Sequence, residues 1–189
     1  MPTSGPTVRP YDPTDEQGWL RCRLLSLVDT CYYDDVHLTR TVFDRPSVQL
    51  VAELDEQVVG LIDVEIDESA ATINSIAVHP DHQRRGIASR LLAAALQQLR
   101  PDIVSIDAWT REDAGALAWY RSQRFEQRHQ YLHVYQGWDE PTEGFGVPAP
   151  LSGPVTAFCH APLSAEAELR ARFARVYVCT QFLRPLAGD

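Results

Sequence analysis

The segment Gln83-Arg84-Arg85-Gly86-Ile87-Ala88 is built to hold an anion. It lies between a short β-branched run, residues 72–78, and a run in which Ala88, Leu92, Ala95, Leu96 and Leu99 recur at helical spacing. Pro80 and Asp81 end the first run and Pro101 ends the second. The first turn of a helix carries backbone N–H groups without internal partners, together with the positive end of the dipole. An anion placed there is bonded by several amides at once. Gly86 lets it approach the backbone, the small Ala88 does not shield it, and Arg84, Arg85 and Arg90 add charge. A strand feeding such a turn predicts a phosphate site over Gln83, Arg84, Arg85, Gly86, Ile87, Ala88 and Ser89.

A second group with chemical capability is Tyr120, in Ala114-Gly115-Ala116-Leu117-Ala118-Trp119-Tyr120. On its own it reads as an amphipathic core residue with its hydroxyl at the surface. A phenol is also protonated at neutral pH, which suits it to give a proton to a leaving group. Asp63 stands amid apolar neighbours in Gly60-Leu61-Ile62-Asp63-Val64-Glu65, where burial would raise its pKa. The loop Asp29-Thr30-Cys31-Tyr32-Tyr33-Asp34-Asp35 sets two tyrosines beside two aspartates, a composition suited to an ammonium and equally to a solvated acidic loop. His129 and His133 are four apart on a predicted strand, with no cysteine or carboxylate cluster beside them. No metal site is expected.

The elements that must position these groups alternate along the chain. Strands are expected over residues 8–10, 48–53, 58–66, 72–78, 103–109, 125–136 and 175–183. Helices are expected over 15–27, from Gly86 to Leu99, over 114–123 and over 165–173. Thr110 and Asp113 stand at capping-box spacing before the third helix. The helix between residues 78 and 103 must cross over to join parallel strands. Residues 137–154 are crowded with glycine and proline and read as an excursion. The sum is a mixed α/β layer fold.

Composition bounds the function. The chain of 189 residues, 44% hydrophobic and 23% charged, is expected to form one soluble domain. A net charge of −9 argues against nucleic acid as the main partner and suits a cationic substrate. No apolar run is long enough to span a bilayer, so no membrane role is expected. The N-terminus has no signal-peptide pattern and the four cysteines have no paired spacing, from which a cytoplasmic address is expected. There is no lysine; all 17 basic residues are arginine. That leaves a Walker-type loop without its lysine and ranks a nucleotide binder last.

The motif Gln83-Arg84-Arg85-Gly86-Ile87-Ala88, preceded by Ile76-Ala77-Val78-His79-Pro80, resembles the Gln/Arg-x-x-Gly-x-Gly/Ala motif and acyl-CoA strand of the GNAT family of N-acetyltransferases. Element order from residue 8 to 136 follows the same family. The resemblance implies a mixed, mostly antiparallel central sheet flanked by helices, and acetyl-CoA as cosubstrate. It implies a pyrophosphate at the 83–89 turn and a pantetheine arm against Ile76, Ala77 and Val78. Tyr120 matches the tyrosine that the family commonly uses as general acid toward the leaving thiolate. Arg124 replaces the glycine usual before Phe125. Several relatives carry a basic glutamate where this chain has Thr72 and Asn74. No base carries over from the family: the nearest carboxylates, on the preceding strand, are Asp63 and Glu65, of which Asp63 is the base expected, and a water chain to bulk is the alternative.

The implied acceptor is a small-molecule or peptide amine, held by Tyr32, Tyr33, Asp34, Asp35 and Trp109. Trp109 can equally line the pantetheine arm or the core. The whole of 1–189 then reads as one acetyltransferase domain with an insertion at 137–172. A homodimer is compatible with the resemblance. The missing strand glutamate keeps a rival in view, a non-catalytic acyl-CoA sensor on the same fold.

Overall fold

The computed structural model describes residues 5–186. Its strands are β1 (Thr7–Pro10), β2 (Ser47–Leu54), β3 (Gln57–Asp67), β4 (Ala70–Val78), β5 (Ser105–Thr110), β6 (Glu126–Gln136), β7 (Ala157–Ala161) and β8 (Arg175–Pro185). Its helices are α1 (Glu16–Leu27), α2 (Ile87–Gln98), α3 (Ala114–Ser122) and α4 (Glu166–Arg172). The strands form one sheet in the order β1-β2-β3-β4-β5-β8-β6-β7. Neighbours run antiparallel except β4 and β5, which the α2 crossover joins in parallel.

Alternation along the strands sorts side chains onto two faces. Leu50, Ala52, Ile62, Val64, Ile73, Ile106, Ala108 and Phe182 pack with Ile87, Leu91, Leu92 and Ala95 of α2 and with Tyr120 of α3. Val51, Leu61 and Ala77 pack with Trp19 and Cys22 of α1 on the other face. Leu24 of the same helix points away from this contact and is exposed. A turn before α1 holds its start: the Asp12 carboxylate accepts from Thr14 N, and the Asp15 carboxylate accepts from Asp12 N.

Gly60 fixes how close α2 sits. A Cβ at that position would lie 2.8 Å from Ile87 Cγ2 and 3.1 Å from Leu91 Cδ1. The helix therefore rests directly on the β3 backbone, and its N-terminus is held at one place over the sheet.

The segment expected as an insertion holds β7, a short 3-10 turn and α4. β7 pairs with residues 132–136 of β6 at the sheet edge. α4 brings Leu169 to a small cluster of Leu132, Val134, Phe173 and Val176.

Candidate active site

A bulge opens the sheet. Between β3 and β4 the register steps from Asp63↔Ser75 to Val64↔Ile73, which leaves Asn74 without a partner and bends β4. The parallel ladder with β5 then runs for only four pairs, from Ala70↔Ser105 to Ile73↔Ala108. Beyond it, Trp109 and Thr110 stay with Gln181 and Thr180 of β8, while Ser75 to Val78 follow β3. The strands diverge into a cleft of about 740 Å³. The β5-side edge of residues 74–78 presents backbone groups that no strand takes up.

The turn after β4 closes one end of this cleft. Arg84 and Gly86 take left-handed conformations, φ 59° and 75°, and no atom lies within 4 Å of the place a Gly86 Cβ would occupy. The first helical bond of α2 is Arg90 N to Gly86 O, at 3.1 Å. The amides of Ile87, Ala88 and Ser89 are thus those left over at the helix start. Ile76, Ala77, Val78, Gln83, Arg84, Gly86, Ile87, Ala88 and Ser89 all line the cleft. Gln83 Nε2 donates to Val78 O at 3.2 Å and braces the turn against the strand. Arg85 turns elsewhere, donating to Asp81 O at 2.9 Å.

The opposite wall comes from α3. The Asp113 carboxylate caps the helix by accepting from Ala116 N at 2.7 Å, and Trp119 Nε1 donates to Ser89 Oγ at 3.3 Å. Tyr120 lines the cleft while only 5% exposed. Its ring stacks on Phe182 at 5.3 Å and meets Phe125 edge-on at 5.4 Å. Burial holds its phenol well above the usual range, so the hydroxyl keeps its proton across neutral pH.

The family model that matches the sequence is that of the acetyltransferase (GNAT) family, over residues 15–125. This chain is a member of the GNAT acetyltransferase family. The match begins at α1 and ends beside Tyr120, so it takes in the bulge, the turn and the α3 wall. Solved structures share the GNAT fold at low identity. The ribosomal-protein-S18-alanine N-acetyltransferase of Escherichia coli aligns at TM-score 0.59 and 15% identity, over 97% of each chain. NAA60 of Arabidopsis thaliana, in complex with a bisubstrate analogue, aligns at TM-score 0.61 and 13% identity, over 97% of this chain and 99% of that one. The PaiA N-acetyltransferase of Thermoplasma acidophilum, in complex with coenzyme A, aligns at 0.56 and 12% over 66% of this chain and 92% of its own. No curated protein matches the sequence.

The remaining expected residues of this GNAT protein divide. Tyr32, Asp35 and Trp109 line the cleft; Tyr33 and Asp34 turn to Arg175, which bonds Asp34 at 2.9 Å and lies 4.7 Å over the Tyr33 ring. Asp35 is held by Arg23 at 2.7 Å. Asp34 and Asp35 are therefore already matched by arginines.

Asp63, the base expected from sequence, is buried on the α1 face at 1% exposure and bonded to Arg40 at 2.5 Å. Burial pushes its carboxyl above the ordinary value, and Arg40 opposes that rise. Its place is beneath Arg40, whose guanidinium also covers the Tyr11 ring at 4.0 Å. Asp63 thus serves the packing between the 37–45 loop and β3. Arg40→Ala would leave this carboxylate buried without its cation. It is expected to cost about 3–5 kcal/mol, read as a lowered denaturation midpoint. Arg40→Ala combined with Asp63→Asn is expected to cost less than Arg40→Ala alone.

Arg111, which the sequence reading did not single out, ties the acceptor loop to the sheet. It is 6% exposed. Its backbone N–H donates to Tyr32 Oη at 2.6 Å, and its guanidinium donates to Cys31 O at 2.5 Å, to His133 Nδ1 at 3.2 Å and to Tyr135 Oη. The guanidinium also covers the Tyr32 ring at 4.1 Å. Burial and the neighbouring cation push His133 down to about 4, which keeps it neutral and able to accept from Arg111. The sequence signal was slight: an arginine two residues past an exposed tryptophan at a strand end.

Proposed function

We propose that this protein transfers an acetyl group from acetyl-CoA to a primary amine by direct attack. The observation that carries the reading is the leftover amide cluster of α2 opening into a cleft between diverging strands, with a protonated Tyr120 in its wall. The site suits the cosubstrate on three counts. The space at Gly86 admits a phosphate to the backbone. The backbone groups of residues 76–78 that no strand takes up would match an amide-bearing arm. The apolar side chains of Ile76 and Trp119 in the walls would pack against that arm.

Acetyl-CoA would supply an acyl group activated as a thioester. The amides of Ile87, Ala88 and Ser89 would hold its pyrophosphate, with Arg84 adding charge. Tyr120 would give its proton to the departing sulfur, and Tyr32, fixed by Arg111, would shape the acceptor side of the cleft. The names of the aligned N-acetyltransferases, one bound to coenzyme A and one to a bisubstrate analogue, support the same reading.

Calorimetric titration of the full chain with acetyl-CoA is the first test, followed by an amine screen. Saturable binding with transfer is expected. No binding at millimolar ligand would sink the reading, and binding without transfer to any amine would select an acyl-CoA sensor.

A further inference from the structure

At the end of α2 away from the phosphate turn, three arginines border a second cavity. It has a volume of about 490 Å³ and shares no lining residue with the cleft. The twelve residues of α2 set the two about 18 Å apart. Arg100, Arg124 and Arg184 line it, beside Leu96 and Leu99 at the end of α2 and Leu186 just past β8. Among the described residues no carboxylate lines it, although the whole chain carries a net charge of −9.

Arg124 holds its place at a cost. It follows the end of α3 at φ 63°, with its own N–H on Arg121 O and the Phe125 N–H on Tyr120 O, both at 3.1 Å. A helix that ends in a left-handed residue usually places glycine there, because a side chain at that angle is strained. Helix C-termini attract cations, and Arg184 answers that demand by donating to Gln123 O at 3.2 Å. Arg124 does not: among the described residues its guanidinium makes no hydrogen bond and no ion pair. Arg100 is matched by Asp102 at 3.1 Å and donates to Glu68 O at 3.0 Å. No carboxylate among the described residues pairs with Arg184 either. Two guanidiniums thus keep uncompensated charge beside apolar side chains.

We propose that this corner binds a small phosphate monoester with an apolar body, its phosphate held by Arg124 and Arg184 and its body laid on Leu96, Leu99 and Leu186. The cavity has the size of a small-molecule site, in the range of about 300–1,000 Å³. A phosphate monoester is largely dianionic at neutral pH, which matches two unanswered cations where a carboxylate would match one. The planar guanidinium fork also bonds phosphate oxygens in pairs. Ligand binding gives the strained arginine after α3 a use that the fold alone does not supply.

The test titrates the full chain with hexyl phosphate by calorimetry, in millimolar coenzyme A so that the α2 turn is offered its own ligand. Saturable submillimolar binding is expected. Inorganic phosphate, which lacks the apolar body, and hexanoate, which lacks the second charge, are each expected to bind about tenfold more weakly or less. Arg124→Gly and Arg184→Gln, which keeps a donor for Gln123 O, should each weaken hexyl phosphate about tenfold or more. Arg128→Gln, on β6 and paired with Glu126, should leave it unchanged. Because glycine relieves the left-handed strain, the thermal midpoint of Arg124→Gly is expected to hold or rise. No saturable binding of hexyl phosphate at millimolar concentration, equal affinity for hexanoate, full affinity in Arg124→Gly, or an equal loss in Arg128→Gln overturns the assignment. So does a lowered midpoint in Arg124→Gly, which would make its guanidinium part of the fold. The acetyl-transfer reading is decided by acetyl-CoA at the cleft and stands apart from each of these outcomes.

Discussion

Tyr120→Phe is expected to lower kcat for acetyl transfer about 10²–10⁴-fold, the usual worth of a positioned general acid. Acetyl-CoA affinity should stay unchanged. Phenylalanine keeps the ring that stacks on Phe182 and meets Phe125 and Trp119, so only the hydroxyl is lost. The check pairs steady-state assay of released thiol with calorimetric titration of both proteins. The pH profile adds a signed expectation. Tyr120 acts in its protonated form, and its pKa is raised. Loss of its proton must therefore come above the ordinary phenol range, and activity limited by Tyr120 should persist through moderately alkaline pH. A variant with unchanged kcat would remove Tyr120 from the chemistry and leave it a core residue.

Gly86→Val is expected to weaken acetyl-CoA binding by on the order of a hundredfold, as would the loss of about two hydrogen bonds to a charged group. Two effects combine. A side chain at φ 75° meets the left-handed penalty of about 1–2 kcal/mol, which disturbs the helix start. Its methyl groups would also occupy the open space through which a phosphate reaches the α2 amides. Arg85→Ala is the informative contrast. Because Arg85 is turned to the Asp81 carbonyl, its removal should change the affinity far less than Gly86→Val. Calorimetry of the two variants separates a site made by backbone amides from one made by arginine charge. Equal losses would favour the arginines.

The phosphate turn was legible in the sequence because everything that makes it is local. A strand, two breakers, a glycine and an apolar helical run lie within residues 72–99, and their spacing dictates the geometry. The strands of the central sheet were legible for the same reason, since each carries its own alternation. β7 escaped. Ala157-Phe158-Cys159-His160-Ala161 is short, pairs along one edge only and has no marked apolar face to announce it.

The acceptor side was hardest to read, because it is assembled by register across distant segments. Thr72, Asp107 and Gln181 meet only once β4, β5 and β8 are aligned. Arg111 meets Cys31 and His133 only after the loop following α1 has folded onto β5. Asp63 shows how a sound local inference can miss. Its apolar neighbours announced burial correctly. They held no sign that Arg40, far along the chain in a loop, would arrive to claim it.

The shortness of the β4–β5 ladder bears on how the molecule comes apart. With four rungs at its middle, the sheet behaves as two panels, β1 to β4 and β5 with β8, β6 and β7, stitched along a narrow seam. The α2 crossover and the Thr72–Asp107 hydrogen bond are further threads across it. Heat or mechanical load should find this seam first. A molecule lying in the gap touches both panels, so it acts as a splint as well as a reactant. At a concentration about a hundred times its Kd it would add about 2.7 kcal/mol to stability, and along this seam more than elsewhere.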